Sequence, residues 1–137
     1  MRHLLPLFII LSTSRSFATT PCDGVDRRLP SNEKPALESI ITTQLKAREL
    51  ADLKSVELMQ SFRLEAWGIY YVSTGVSDET FVFYAGDPRS HDYVTYWSGA
   101  ATRSEEKRIR NWVLKNAPGI PRKLARCFSW YVTQGDR

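Results

Sequence analysis

Between Trp67 and Trp97, three runs rich in β-branched and aromatic residues follow one another at short range. They are Trp67 to Thr74, Thr80 to Tyr84, and Tyr93 to Trp97. Residue types that suit a pleated, half-buried surface recur there, separated by Gly75-Val76-Ser77-Asp78-Glu79 and by Gly86-Asp87-Pro88, both with turn composition. Links this short leave no room for crossover helices, so the strands must form an antiparallel meander. In the first run, Trp67, Ile69 and Tyr71 share one face, with Tyr70 and Val72 on the other. Neither face is polar, which predicts that both are at least partly covered.

Helices flank the meander. The first begins near Ser31-Asn32, either of which serves as a cap, and Pro35 is tolerated in its first turn. Leu37, Ile40, Ile41 and Leu45 then recur at helical spacing. Residues 48 to 61 contain neither Gly nor Pro and read equally as continuing helix or the start of a strand. A second helix starts at Ser104, where Glu105 and Glu106 oppose the positive end of the helix dipole, and Asn116-Ala117-Pro118-Gly119 stops it. Pro121 begins a short turn through Leu124. For residues 127 to 133, the alternation of Phe128, Trp130 and Val132 favours a closing strand, while Leu124, Cys127, Phe128 and Tyr131 also fit a helix.

The expected fold class is therefore α+β: an antiparallel meander of three or four strands with an N-terminal and a C-terminal helix packed on it. In architecture alone it is similar to cystatin-like arrangements, where a helix lies on an antiparallel sheet. No family motif carries residues across from that likeness.

Met1-Arg2-His3, the apolar run Leu4 to Leu11 and the small-x-small Ser16-Phe17-Ala18 have the layout of a secretory signal peptide. Residues 1–18 are read as that leader and 19–137 as one domain in the periplasm or outside the cell. The apolar run is far short of the roughly 20 residues a spanning helix needs, so no transmembrane segment is expected. The two cysteines, Cys22 and Cys127, sit near opposite ends of the exported part and predict a disulfide in an oxidising compartment. No lipobox precedes Cys22.

Charge is unevenly spread. Thr19 to Thr102 holds eight Lys/Arg against twelve Asp/Glu, whereas Arg103 to Arg137 holds nine against three. Within the basic part, Arg103, Lys107 and Arg110 fall along one helix face, with Arg108 and Lys115 nearby and Arg122, Lys123 and Arg126 beyond. Such a cluster suits an acidic protein surface or anionic lipid headgroups, or forms a solvated face. The formal net charge of only +4 argues against nucleic acid.

The one histidine of the exported part, His91, lies in Gly86-Asp87-Pro88-Arg89-Ser90-His91-Asp92. A catalytic reading makes His91 a general base oriented by Asp87 or Asp92, and the same side chains are candidate metal ligands. A Gly/Asp/Pro/Ser-rich link between strands also reads simply as a solvated turn. HExxH, CxxC, P-loop, GxGxxG and nucleophile-elbow motifs do not occur. The sequence accordingly predicts an exported, non-catalytic binding module of inhibitor or immunity type. Its partner is another exported protein with an acidic surface, bound through Arg103, Lys107, Arg110, Arg122 and Lys123. No cofactor or metal is expected. The alternative is a small hydrolase or metal-dependent enzyme using the His91 loop; a third reading is an envelope-associated protein lying against lipid.

Overall fold

A computed structural model describes residues 19–29 and 31–135. The expected leader, Met1 to Ala18, lies outside the described residues. The chain folds as α1 (Lys34–Arg48), β1 (Glu57–Leu64), β2 (Trp67–Ser73), β3 (Thr80–Tyr84), β4 (Thr95–Ser98), a 3-10 turn (Arg103–Glu105), α2 (Glu106–Asn116) and α3 (Arg122–Gln134). The strands form one antiparallel sheet in the order β1-β2-β3-β4, with helices before and after it in the chain. This is the α+β meander that the strand vocabulary predicts.

Both faces of the sheet are covered, as the apolar content of both faces of β2 requires. On one face, Leu37, Ile41 and Leu45 of α1 pack with Leu58, Tyr70, Val72, Val82 and Tyr84. These α1 positions recur every four residues, so a single helical stripe is buried. On the other face, Ile109 and Val113 of α2, with Leu124, Phe128 and Tyr131 of α3, pack on Phe62, Ile69, Tyr71, Phe81 and Phe83. Phe81 is the hub of that layer. Its ring stacks on Tyr71 at 4.2 Å and meets Phe128 edge-on at 5.0 Å. Gln134 at the end of α3 donates to the Glu106 carboxylate at the start of α2 (2.6 Å), so the two helices run antiparallel.

Two sequence expectations are corrected here. Residues 127 to 133 are helical, not a closing strand, and the short turn expected after Pro121 is instead the start of α3. Leu124, Cys127, Phe128, Tyr131 and Val132 are all buried, so the 3.6-residue period takes precedence. Trp130, the middle of the apparent alternation, is only half-buried at the rim of the helix. The fourth strand is β1, ahead of the meander. A bulge between Leu58 and Gln60 breaks the alternation there, leaving Met59 exposed and the strand signal weak. A smaller adjustment concerns α1: it starts after Glu33, with no side-chain cap from Ser31 or Asn32.

Residues 19–29 run as an arm along β1. Asp26 and Arg63 exchange two backbone hydrogen bonds of 2.8 Å. Arg27 lies over the Phe62 ring at 3.7 Å and donates to the Ser61 carbonyl (3.1 Å) and the Gln60 side chain (3.0 Å). Cys22 is joined to Cys127 of α3, with Cα atoms 4.4 Å apart. The predicted cysteine pair is thus the clasp between the arm and the last helix. Among the described residues no helix is long and apolar enough to cross a membrane.

Candidate functional site

The His91 loop follows β3. The Asp87 carboxylate accepts the Arg89 amide (2.9 Å), while the Asp87 carbonyl accepts the amides of Ser90 and His91 (both 3.0 Å). Asp87 therefore organises a turn. The exposed His91 ring folds back over Gly86, with Nδ1 3.2 Å from the Asp87 carbonyl and 3.0 Å from Ser90 Oγ. Neither Asp87 nor Asp92 meets the ring through its carboxylate; Asp87 pairs instead with Arg89 (3.4 Å). From α1, Gln44 holds the loop by donating to the carbonyls of Pro88 (3.3 Å) and His91 (3.2 Å) and accepting from Tyr84 (2.6 Å). Burial raises the Tyr84 phenol well above its ordinary pKa, which keeps it a donor. Asp87 and His91 are thus neighbours through the main chain, the ring meeting a carbonyl and a hydroxyl rather than a carboxylate. Among the described residues no group of three or more His, Cys, Asp or Glu is placed to hold a metal ion.

The basic residues are positioned by the α2–α3 pair. Arg103 and Lys107, at the 3-10 turn and the start of α2, are exposed, and Arg110 is half-buried one turn on. Arg122 and Lys123 open α3 at the far end of the pair, where the Lys123 side chain lies over Gly24 of the arm. The predicted cluster is therefore spread along a helical hairpin rather than gathered at one point. Its members share an electrostatic property: among the described residues none of these five forms an ion pair. On the remainder of the molecule Arg28, Arg63 and Arg89 pair with carboxylates, Arg27 and Arg48 lie over aromatic rings, and Lys34, Lys46 and Lys54 form no ion pair among the described residues.

Two clefts flank β4, one on each face of the sheet. On the α2 side, Trp97, Ala101, Ile109 and Trp112 line a space of about 280 Å³ with the Arg108–Glu105 ion pair at its edge. On the α1 side, Leu45, Leu50, Glu49, Asp78, Thr80 and Tyr96 line one of about 250 Å³. Ser98 belongs to both. Tyr93 and Tyr96 each donate to the Glu49 carboxylate, at 3.3 and 3.1 Å. Burial, reinforced by Glu49, pushes the Tyr93 phenol up to about 12; the hydrogen bond to Glu49 raises that of Tyr96. Both phenols remain protonated donors at neutral pH, fixing the Tyr96 ring beside the strand.

Sequence reasoning nominated neither cleft, because its walls come from α1, the β2–β3 link, β4 and α2. The one local signal is the i, i+4 spacing of Arg108 and Trp112, which places a guanidinium beside an indole on one helix face. Comparison with known proteins adds no relative: no protein-family model, curated protein or solved structure matches the chain.

Proposed function

We propose that this chain is an exported, non-catalytic binding module that engages an acidic surface on another exported protein, as an inhibitor or immunity protein does. The observation that carries the reading is the unneutralised charge of the α2–α3 hairpin. Arg103, Lys107, Arg110, Arg122 and Lys123 have no ion-pair partner among the described residues, and they lie in a segment, Arg103 to Arg137, where nine Lys/Arg stand against three Asp/Glu. Unpaired cations on a rigid helical scaffold steer an acidic partner and set its orientation. The neighbouring Trp112 and Arg108 supply residue types that dominate interface hot spots. Export rests on the leader-like N-terminus, and a cysteine pair at bonding distance suits an oxidising compartment.

Affinity capture from the native envelope with the mature protein tests the reading. Combined Arg103→Glu, Lys107→Glu and Arg110→Glu should abolish retention of the specific partner, and wild-type retention should fall steeply with salt. Equal retention by the reversed protein, with no salt dependence, contradicts it.

A further inference from the structure

The two lateral edges of the sheet differ in how they are finished. β1 carries the Met59 bulge, charged Glu57 and Arg63, and the paired arm. β4 is Thr95-Tyr96-Trp97-Ser98: four β-prone or hydroxyl residues with no charge, proline or bulge. Among the described residues no strand pairs with its outer side. An edge strand presents a row of unpaired N–H and C=O groups; of the devices that usually blunt one, β4 has only its shortness and no charge, proline or bulge. Val94, just before the strand, and Tyr96 within it are both large hydrophobics left exposed.

Cross-strand register assigns the faces. Tyr96 pairs with Val82 of the α1-side core, and Trp97 pairs with Phe81 of the hairpin-side core. The cleft on the α1 side is thus entered beside Tyr96, and the one on the α2 side beside Trp97. An added strand would send alternate side chains into the two clefts, the arrangement by which main-chain bonds give affinity and flanking pockets give selectivity. The link after β4 leads straight to Arg103, Lys107 and Arg108.

We infer that β4 is the docking edge for an extended acidic segment of the partner, which adds to the sheet as a fifth strand, antiparallel to β4. This rests on the binding reading above and specifies its mode. In that direction the segment's N-terminal end reaches the 3-10 turn, so carboxylates there meet Arg103 and Lys107, whose charges no acidic residue in the described fold neutralises. A branched aliphatic side chain enters the Trp97–Trp112 cleft. Small hydroxyl side chains suit the opposite cleft, where Glu49 and Asp78 disfavour an acid.

The test uses isotope-labelled mature protein with its disulfide intact and a blocked peptide, Asp-Glu-Thr-Val-Thr-Leu-Thr. A second copy of the peptide is N-methylated at alternate residues, which keeps its charge but blocks strand pairing. The expected result is saturable shifts centred on the amides of 94 to 98, with more than about tenfold weaker binding by the N-methylated peptide, since several hydrogen bonds are lost. Tyr96→Ala, which removes the exposed ring from the edge without adding charge, should also weaken binding while leaving the circular dichroism spectrum unchanged. Equal binding of both peptides, shifts confined to α2 and α3, or no binding overturns the edge proposal. A protein that self-associates through β4 in sedimentation, and thereby excludes the peptide, overturns it as well. The binding reading itself falls only if the charge-reversal capture also fails, so the two failures are distinguishable.

Discussion

Along β1, the sheet is closed by the chain itself. The arm contributes two backbone bonds through Asp26, a guanidinium over the Phe62 ring, and a covalent link from Cys22 to Cys127 of α3. Along β4, nothing comparable is present among the described residues: the strand is short, uncharged and flanked by two clefts. One edge is finished for stability and the other is left with unused pairing capacity. The lesson is that an edge lying beside unneutralised cations is suited to selective docking, because an incoming strand must also carry complementary charge.

The largest effect should come from opening the closed edge. Replacing Cys22 and Cys127 together by Ser removes a cross-link spanning 105 residues. On the chain-entropy model that costs about 4 to 5 kcal/mol of stability, measurable as a lower urea midpoint. Weakening the arm's other contacts with the clasp left in place sharpens the comparison. Arg27→Ala loses contacts with the Phe62 and Tyr131 rings and two hydrogen bonds, so a cost of about 1 to 2 kcal/mol is expected in the same assay. If Arg27→Ala has no effect, the arm is held by its disulfide and the Asp26–Arg63 pairing without help from Arg27.

A smaller, pH-dependent contribution comes from Asp26. Hydrogen bonds from the side chain and backbone of Arg28, with help from Arg63, hold its carboxyl at about 2 against an ordinary 3.8. Because the folded value lies below the unfolded one, its stabilisation is complete above pH 3.8 and fades as pH falls toward about 2. Asp26→Asn should remove that acid-limb component from a stability–pH profile, and solvent screening at this half-buried, solvent-accessible site keeps the amplitude small. The smallest effect is expected at His91. His91→Ala should change stability by no more than about 0.5 kcal/mol, since the exposed ring contacts only its own loop. A much larger loss would show that the loop orders more of the molecule than its own turn.

How much of this was legible in the sequence depends on the range of the signal. α1, β2, β3 and the end of α2 follow from local periodicity and turn residues, and the Cys22–Cys127 pair from compartment and number. Residues 127 to 133 were misread because Phe128, Trp130 and Val132 satisfy a two-residue period over a short window. The competing stripe through Leu124, Cys127, Phe128 and Tyr131 is decided only by packing on Phe81 and Phe62. β1 was obscured by its bulge. For the candidate site, the basic residues could be read off the chain, but not their lack of partners, which depends on where carboxylates end up in space. The two clefts were invisible for the same reason, since residues as distant as Leu45 and Ser98 share one wall.

Residue-resolved hydrogen exchange on the free protein comprising residues 19–137 tests the contrast between the edges most directly. The amides of Asp26 and Arg63, which bond each other's carbonyls across the closed edge, should be protected, and reducing the disulfide should lower that protection first. The outward-facing amides of β4 should exchange close to the rate of exposed loops and become protected only when an acidic strand is added. Strong protection along the outer side of β4 in the free monomer, or fast exchange at Asp26 and Arg63 with the disulfide intact, would contradict the account.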